Sequence, residues 1–160
     1  MKHILLINTG GTFSSRPGDR GLSPKLASGD IRALLGELDP ALSIESEDYC
    51  SLDSSNIAPD DWQRLALRIG GRVGDCDGAV LIHGTDTLAY TASMLSFMLP
   101  NIPIPVVVTG SQMPLGVPMS DAADNLRCAL QMAGSGYGGV FVAFDRKIML
   151  GCRTSKVRTV

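Results

Sequence analysis

Histidine is almost missing from this chain, with His3 and His83 the two in 160 residues. A histidine-based triad or metal cluster would have to be built almost entirely from carboxylates. Cysteine is sparse as well: Cys50, Cys76, Cys128 and Cys152 lie far apart and never reach the paired spacing of a zinc site or redox motif. Buried free thiols are the expectation, and neither a metal nor a cofactor is implied. An excess of one charge is also lacking, since 14 basic residues stand against 16 acidic ones. Such a balance gives no broad positive field for a phosphate backbone, so nucleic acid is not an expected partner. The apolar segment from His3 to Ile7 is far too short to span a bilayer, and no small-residue cleavage site follows it. A cytoplasmic protein without membrane association is expected.

What is present is a hydrophobic content of 44% in a chain of ordinary single-domain length, enough to bury one sizeable core. Short β-branched runs alternate with helical stretches, the pattern of βα units around a mostly parallel sheet. The expected fold is α/β, a three-layer doubly wound sheet with helices on both faces. Strands are predicted at His3 to Asn8, Ala41 to Glu47, Gly78 to His83, Val106 to Thr109 and Val140 to Phe144, with a short Lys147 to Leu150 strand after an Asp145-Arg146 turn. Asp30 can cap a helix through Leu38. Pro59 suits the first turn of a helix that Gly70-Gly71 ends, although Ala58 is a poor cap. Asp86 stands at a natural N-cap for a helix to about Leu99, and Ser120 or Asp121 can cap one through Met132.

Three predicted strands end alike, in Thr9-Gly10-Gly11-Thr12, His83-Gly84-Thr85-Asp86 and Thr109-Gly110-Ser111-Gln112. The carboxyl ends of parallel strands share one edge, where open α/β folds bind ligands, so the three motifs should converge. Glycine lets backbone approach a ligand, and hydroxyls and amide hydrogens near helix N-termini suit a small anionic molecule. Thr12 can attack a carbonyl if a base removes its proton, and Thr85, Asp86 and Lys156 can relay that proton. Taken singly, each has a plain structural reading. Thr12 is a turn residue, Asp86 a helix cap, Lys156 a solvated charge, His83 a core residue bonded to neighbouring backbone, and Ser54 and Ser55 turn formers. The combination at three strand ends of one sheet points instead to a hydroxyl-based site. A phosphate loop is the rival for Gly10-Gly11, but the spacing of a dinucleotide or P-loop motif is not there.

These residues resemble the type I asparaginases, the cytoplasmic bacterial and archaeal group. The likeness runs through Thr9-Gly10-Gly11-Thr12, Leu52-Asp53-Ser54-Ser55, His83-Gly84-Thr85-Asp86-Thr87, Ala89 to Leu99, Val108-Thr109-Gly110-Ser111, Ser120-Asp121 with Asn125-Leu126, and Leu150 to Lys156. The resemblance implies Thr12 as nucleophile on the side-chain amide of asparagine, with Thr85 ranked second, and Thr85, Asp86 and Lys156 as the second catalytic group. It also implies that Ser54 and Ser55 hold the α-carboxylate, that Asp86 meets the α-ammonium, that backbone amides near Thr12 and Thr85 form the oxyanion hole with Gly11 and Gly84 among the substrate-binding positions, and that Ser111 lies by the leaving amide. The substrate implied is L-asparagine or L-glutamine, and the assembly a homodimer or homotetramer of the full-length parent.

Two departures bear on activity. Leu22 stands where the family usually has a lid tyrosine, so lowered kcat or altered substrate choice is expected unless Ser14, Ser15 or Ser23 takes over. The family's smaller C-terminal domain is absent from 1–160, so the chain is expected to fold as an N-terminal catalytic domain with little activity alone. The rival functions are an ammonia-supplying amidotransferase component acting toward glutamyl-tRNA and a non-catalytic amino-acid-binding module.

Overall fold

The computed structural model describes residues 1–11, 15–18, 21–24, 40–52 and 54–158. The expected nucleophile Thr12, the loop residue Ser14, the helix from Asp30 to Leu38 and Asp53 lie outside them. Six strands form the main sheet: β1 (Lys2–Gly10), β4 (Leu42–Leu52), β5 (Gly78–Ile82), β6 (Pro105–Thr109), β7 (Gly139–Phe144) and β8 (Lys147–Leu150). Their spatial order is β4-β1-β5-β6-β7-β8, all parallel except β8, which turns back on β7. A separate hairpin joins β2 (Ser15–Gly18) to β3 (Gly21–Pro24), with Leu22 opposite Pro17.

The strands form because their β-branched and leucine runs can be covered on both faces. Ile4, Leu6, Val80, Ile82 and Val107 face one side, beneath α3 (Ala122–Ala133). Leu5, Ile7, Ala79, Leu81, Val106 and Val108 face the other, beneath α1 (Pro59–Gly70) and α2 (Leu88–Met98). Full burial of each Leu, Ile or Val contributes about 1.5–3 kcal/mol, so this double cover is the main stabilising term of the domain. The three-layer α/β fold expected from the sequence is therefore present.

Local details differ from expectation in ways that matter later. Strand β4 runs to Leu52, past the expected Glu47, because it follows β1 across an irregularity between Asn8 and Gly10. At α1, Asp61 compensates for Ala58: its Oδ2 accepts the Ala58 backbone N–H at 2.9 Å. Asp86 is not the cap of α2. That helix starts at Leu88 with Thr87 at the cap position and no side-chain cap bond. Of the cysteines whose side chains are described, Cys76 is buried, Cys128 half-buried and Cys152 exposed, so the expectation of buried thiols does not hold for Cys152. The Asp145-Arg146 turn is observed, both residues having positive φ (51° and 58°), as a tight two-residue hairpin turn requires.

Candidate active site

Strands β1 and β5 are neighbours, but the chain leaves β1 toward β4 on one side and leaves β5 toward β6 on the other. A crevice opens where the order reverses in this way, and ligands of open α/β sheets bind there. The ends of β1 and β5 carry Gly10-Gly11 and His83-Gly84-Thr85-Asp86, so two of the three matching motifs flank the reversal.

Glycine brings these ends together. A Cβ on Gly11 would lie 2.6 Å from Gly84 Cα, and one on Gly84 would lie 2.6 Å from both Cβ and Oγ of Ser54. A Cβ on Gly110 would lie 2.3 Å from the His83 carbonyl oxygen. The three strand ends thus touch through their glycines, backbone against backbone, and Gly84 leaves room for the Ser54 side chain of the short 3-10 turn Ser54–Asn56. Gly11 also has φ near +82°, which side chains rarely adopt. Hydroxyls tie the same ends: Thr9 Oγ1 donates to Ile82 O, Thr109 Oγ1 to Ala143 O, and Thr87 Oγ1 to Ser54 O, at 2.7–2.8 Å. Ser54 is buried and Ser55, next to it, is exposed.

Lys156 reaches the β5 end from a segment 70 residues later in the chain. Its Nζ donates to Thr85 Oγ1 at 3.0 Å and to Asp86 Oδ1 at 2.7 Å. The lysine arrives there because the 3-10 turn Gly151–Arg153 seats against α2, where a Cβ on Gly151 would come within 2.8 Å of Ser96 Oγ. Lys156 keeps 23% of its side-chain exposure and Asp86 63%, so the pair adds little to stability and its value is positional. An ammonium held against the Thr85 oxygen stabilises negative charge there, and the carboxylate keeps the lysine in place. Thr85 and Lys156 also line a cavity of about 520 Å³ with Gln112, Asp121, Val142 and Met149; Gly11, Ser54, Ser55, Asp86 and Ser111 are not part of its wall, so it adjoins the strand ends and does not enclose them.

Ser111 sits at the end of β6 with 1% exposure, and its hydroxyl donates to Met113 O at 2.6 Å, within its own loop. His83 is likewise buried, matching its plain structural reading. Its Nδ1 bonds Gly84 O at 2.7 Å and its Nε2 meets Thr91 Oγ1 at 2.8 Å. Because a carbonyl can only accept, Nδ1 carries the proton and Nε2 accepts from Thr91, which in turn accepts Trp62 Nε1–H at 2.8 Å. Burial pushes the His83 pKa down and keeps the ring neutral. Nothing in the sequence pattern marks Trp62 and Thr91 as partners; the one signal is that Thr91 shares the helix face of Leu88, Ala92 and Leu95, which is otherwise apolar. Among the described residues no three His, Cys, Asp or Glu side chains gather as a metal site, and no helix is long and apolar enough to cross a membrane.

A family model described as asparaginase, N-terminal, matches residues 3–160. The chain belongs to that family. It is 46% identical over 158 residues to the L-asparaginase of Thermococcus kodakarensis, covering 98% of this chain and 48% of that protein. The solved structure of the thermostable Thermococcus kodakarensis L-asparaginase superposes with a TM-score of 0.92 over 99% of this chain and 48% of that one. L-asparaginase 1 of Escherichia coli K12 is 40% identical over 162 residues, with 97% of this chain and 47% of that protein covered. A glutamyl-tRNA(Gln) amidotransferase component of Archaeoglobus fulgidus is 35% identical over 141 residues, covering 87% of this chain and 34% of that one. The asparaginase-family chain thus spans about half the length of the curated L-asparaginases it matches.

Proposed function

We propose that this chain is the N-terminal catalytic domain of an L-asparagine amidohydrolase that uses a threonine nucleophile. The observation that carries the reading is Lys156 bonded to both Thr85 and Asp86 at the sheet's reversal point. The match to L-asparaginases across nearly the whole chain supports it. Thr12, one residue past Gly11, is the proposed nucleophile: its oxygen bonds to the side-chain amide carbon, the C–N bond breaks, and the nitrogen leaves as ammonia with the proton taken from the hydroxyl. Water then attacks the ester, aspartate leaves, and the hydroxyl regains its proton. Thr85, Asp86 and Lys156 polarise the reacting oxygens and hold the proton. Ser54 and Ser55 take the substrate α-carboxylate, Asp86 its α-ammonium, and the backbone amides near Thr12 and Thr85 the oxyanion, with Gly11 and Gly84 lining the substrate. Ser111, with its hydroxyl turned into the loop, acts on the leaving amide through position and backbone. L-glutamine is the secondary substrate, and the assembly implied is a homodimer or homotetramer of a chain with the family's second domain.

The test is ammonia release from L-asparagine by the full-length enzyme and by the 160-residue chain. Activity in the former, little in the latter, and none in full-length Thr12→Ala at unchanged folding is expected; full activity in Thr12→Ala would reject the nucleophile. The amidotransferase reading has its own support in the Archaeoglobus fulgidus relative. It would be favoured by ammonia transfer to glutamyl-tRNA in the presence of a partner protein, with negligible free asparaginase activity.

A further inference from the structure

The Ser120-Asp121 and Asn125-Leu126 stretch takes no part in the proposed chemistry, yet Asn125 is 1% exposed and makes three side-chain bonds to three separate segments. Its Nδ2 donates to Gly110 O at 2.9 Å, at the end of β6. The same Nδ2 donates to Asp121 Oδ2 at 3.0 Å, one turn back on α3. Its Oδ1 accepts Asp145 N–H at 2.9 Å, in the β7–β8 turn. The orientation of the amide is forced, because a carbonyl can only accept and a backbone N–H can only donate.

Asp121 passes the constraint onward. Instead of capping α3, its carboxylate accepts the backbone N–H of Gln112 at 3.1–3.2 Å and of Met113 at 3.1 Å. The loop that carries Ser111 and Gln112 is therefore pinned at Gly110 by Asn125 and at residues 112–113 by the carboxylate Asn125 holds. On its other side Asn125 anchors the turn from which β8 runs toward Gly151–Arg153 and then Lys156. One buried amide thus sits between the loop on one wall of the cavity and the hairpin leading to the lysine on the other.

We infer that Asn125 is a positioning residue for the site, acting through Asp121 on the 110–113 loop. It touches no reacting atom, and its catalytic consequence rests on the amidohydrolase reading. Its mechanical consequence does not. The charges around it are few: Asp121 faces the amide directly, the Asp145 carboxylate pairs with Lys147 at 2.6 Å, and Arg146 pairs with Asp124 at 2.7 Å.

The decisive variant is Asn125→Asp, which keeps the acceptor for Asp145 N–H and, when ionised, loses both donor bonds. The new carboxylate then opposes Asp121 and the Gly110 carbonyl, and burial beside Asp121 raises its pKa. Once protonated it has one O–H to donate, restoring one of the two lost bonds. Amide hydrogen exchange in the 160-residue chain is the first readout. At pH 7.5 the Gln112 and Met113 amides should exchange at least about tenfold faster than in the wild type, with β1 and β5 amides unchanged. After correction for intrinsic rates, much of that difference should disappear at pH 5.5. Asn125→Leu should lose the protection of Asp145 as well and show no recovery. In the full-length enzyme Asn125→Asp should lower kcat for L-asparagine about tenfold to a hundredfold at pH 7.5 with a smaller change in KM, and regain part of it relative to wild type at pH 5.5. Uniform acceleration across the sheet, or protection of Gln112 and Met113 that survives in Asn125→Asp, would overturn the inference. A wild-type enzyme that leaves L-asparagine intact would reject the functional reading and leave the exchange result standing.

Discussion

His83 should make this domain acid-sensitive in a window of its own. The ring is 1% exposed and neutral, with both nitrogens committed, so accepting a proton at Nε2 would break the bond from Thr91 and place an unpaired charge in the core. In the unfolded chain the imidazole regains its ordinary pKa of 6.5. Below that value the unfolded state binds a proton that the folded state refuses, so stability falls with falling pH and is fully present above about pH 7.5. The loss deepens as pH falls below 6.5 and cannot exceed about 1.4 kcal/mol per pH unit, the linkage limit for one proton. Against total stabilities of about 5–15 kcal/mol that is a large fraction. The carboxylates act lower down: Glu45, held at about 2 by hydrogen bonds from Arg72 and His3, loses its contribution only as pH falls from about 4.5 toward 2.

The assay is urea unfolding at pH 7.5, 6.5 and 5.5, followed by the fluorescence of Trp62, the single tryptophan and the donor at the end of the same chain of bonds. Wild type should lose more stability than His83→Gln between pH 7.5 and 5.5, by on the order of 1 kcal/mol, whatever the variant's absolute stability. Parallel pH profiles for the two proteins would refute the reasoning, because they would mean that the folded ring takes up its proton as readily as the unfolded one.

Two further outcomes follow from the same geometry. Gly84→Ala should destabilise the domain by about 1–3 kcal/mol, because its Cβ would fall 2.6 Å from Ser54 Cβ and Oγ and force the 3-10 turn away; the check is the urea midpoint, and an unchanged midpoint would mean that the turn yields freely. Lys156→Met should alter stability by less than about 1 kcal/mol, as expected of a partly exposed pair, and on the proposed amidohydrolase reading should abolish ammonia release by the full-length protein.

The strands could be read from the sequence because Ile4 to Ile7, Ala79 to Ile82 and Val106 to Val108 are apolar without interruption, and only a sheet covered on both faces has use for such runs. The gathering of the first and third strand ends could be read for the same reason, since parallel strands leave no other edge for their carboxyl termini. What one strand end does with its side chains could not. Asp86 and Asp121 both stand just before a helix, where a local rule makes each a cap, and both bind something else: Asp86 takes Lys156 from the far end of the chain, and Asp121 takes two backbone amides of the preceding loop. Asp86 lies one residue before the cap position of a helix that starts at Leu88, and at Asp121 three bonds from converging N–H groups prevail over one cap bond. The glycines carry the same lesson. At Gly11, Gly84 and Gly110 the sequence marks a place where backbone must come close, and the structure shows that what comes close is another strand end or the Ser54 turn. A site assembled this way has its shape set by contacts between elements far apart in the chain. Local pattern can therefore locate its residues but cannot orient them.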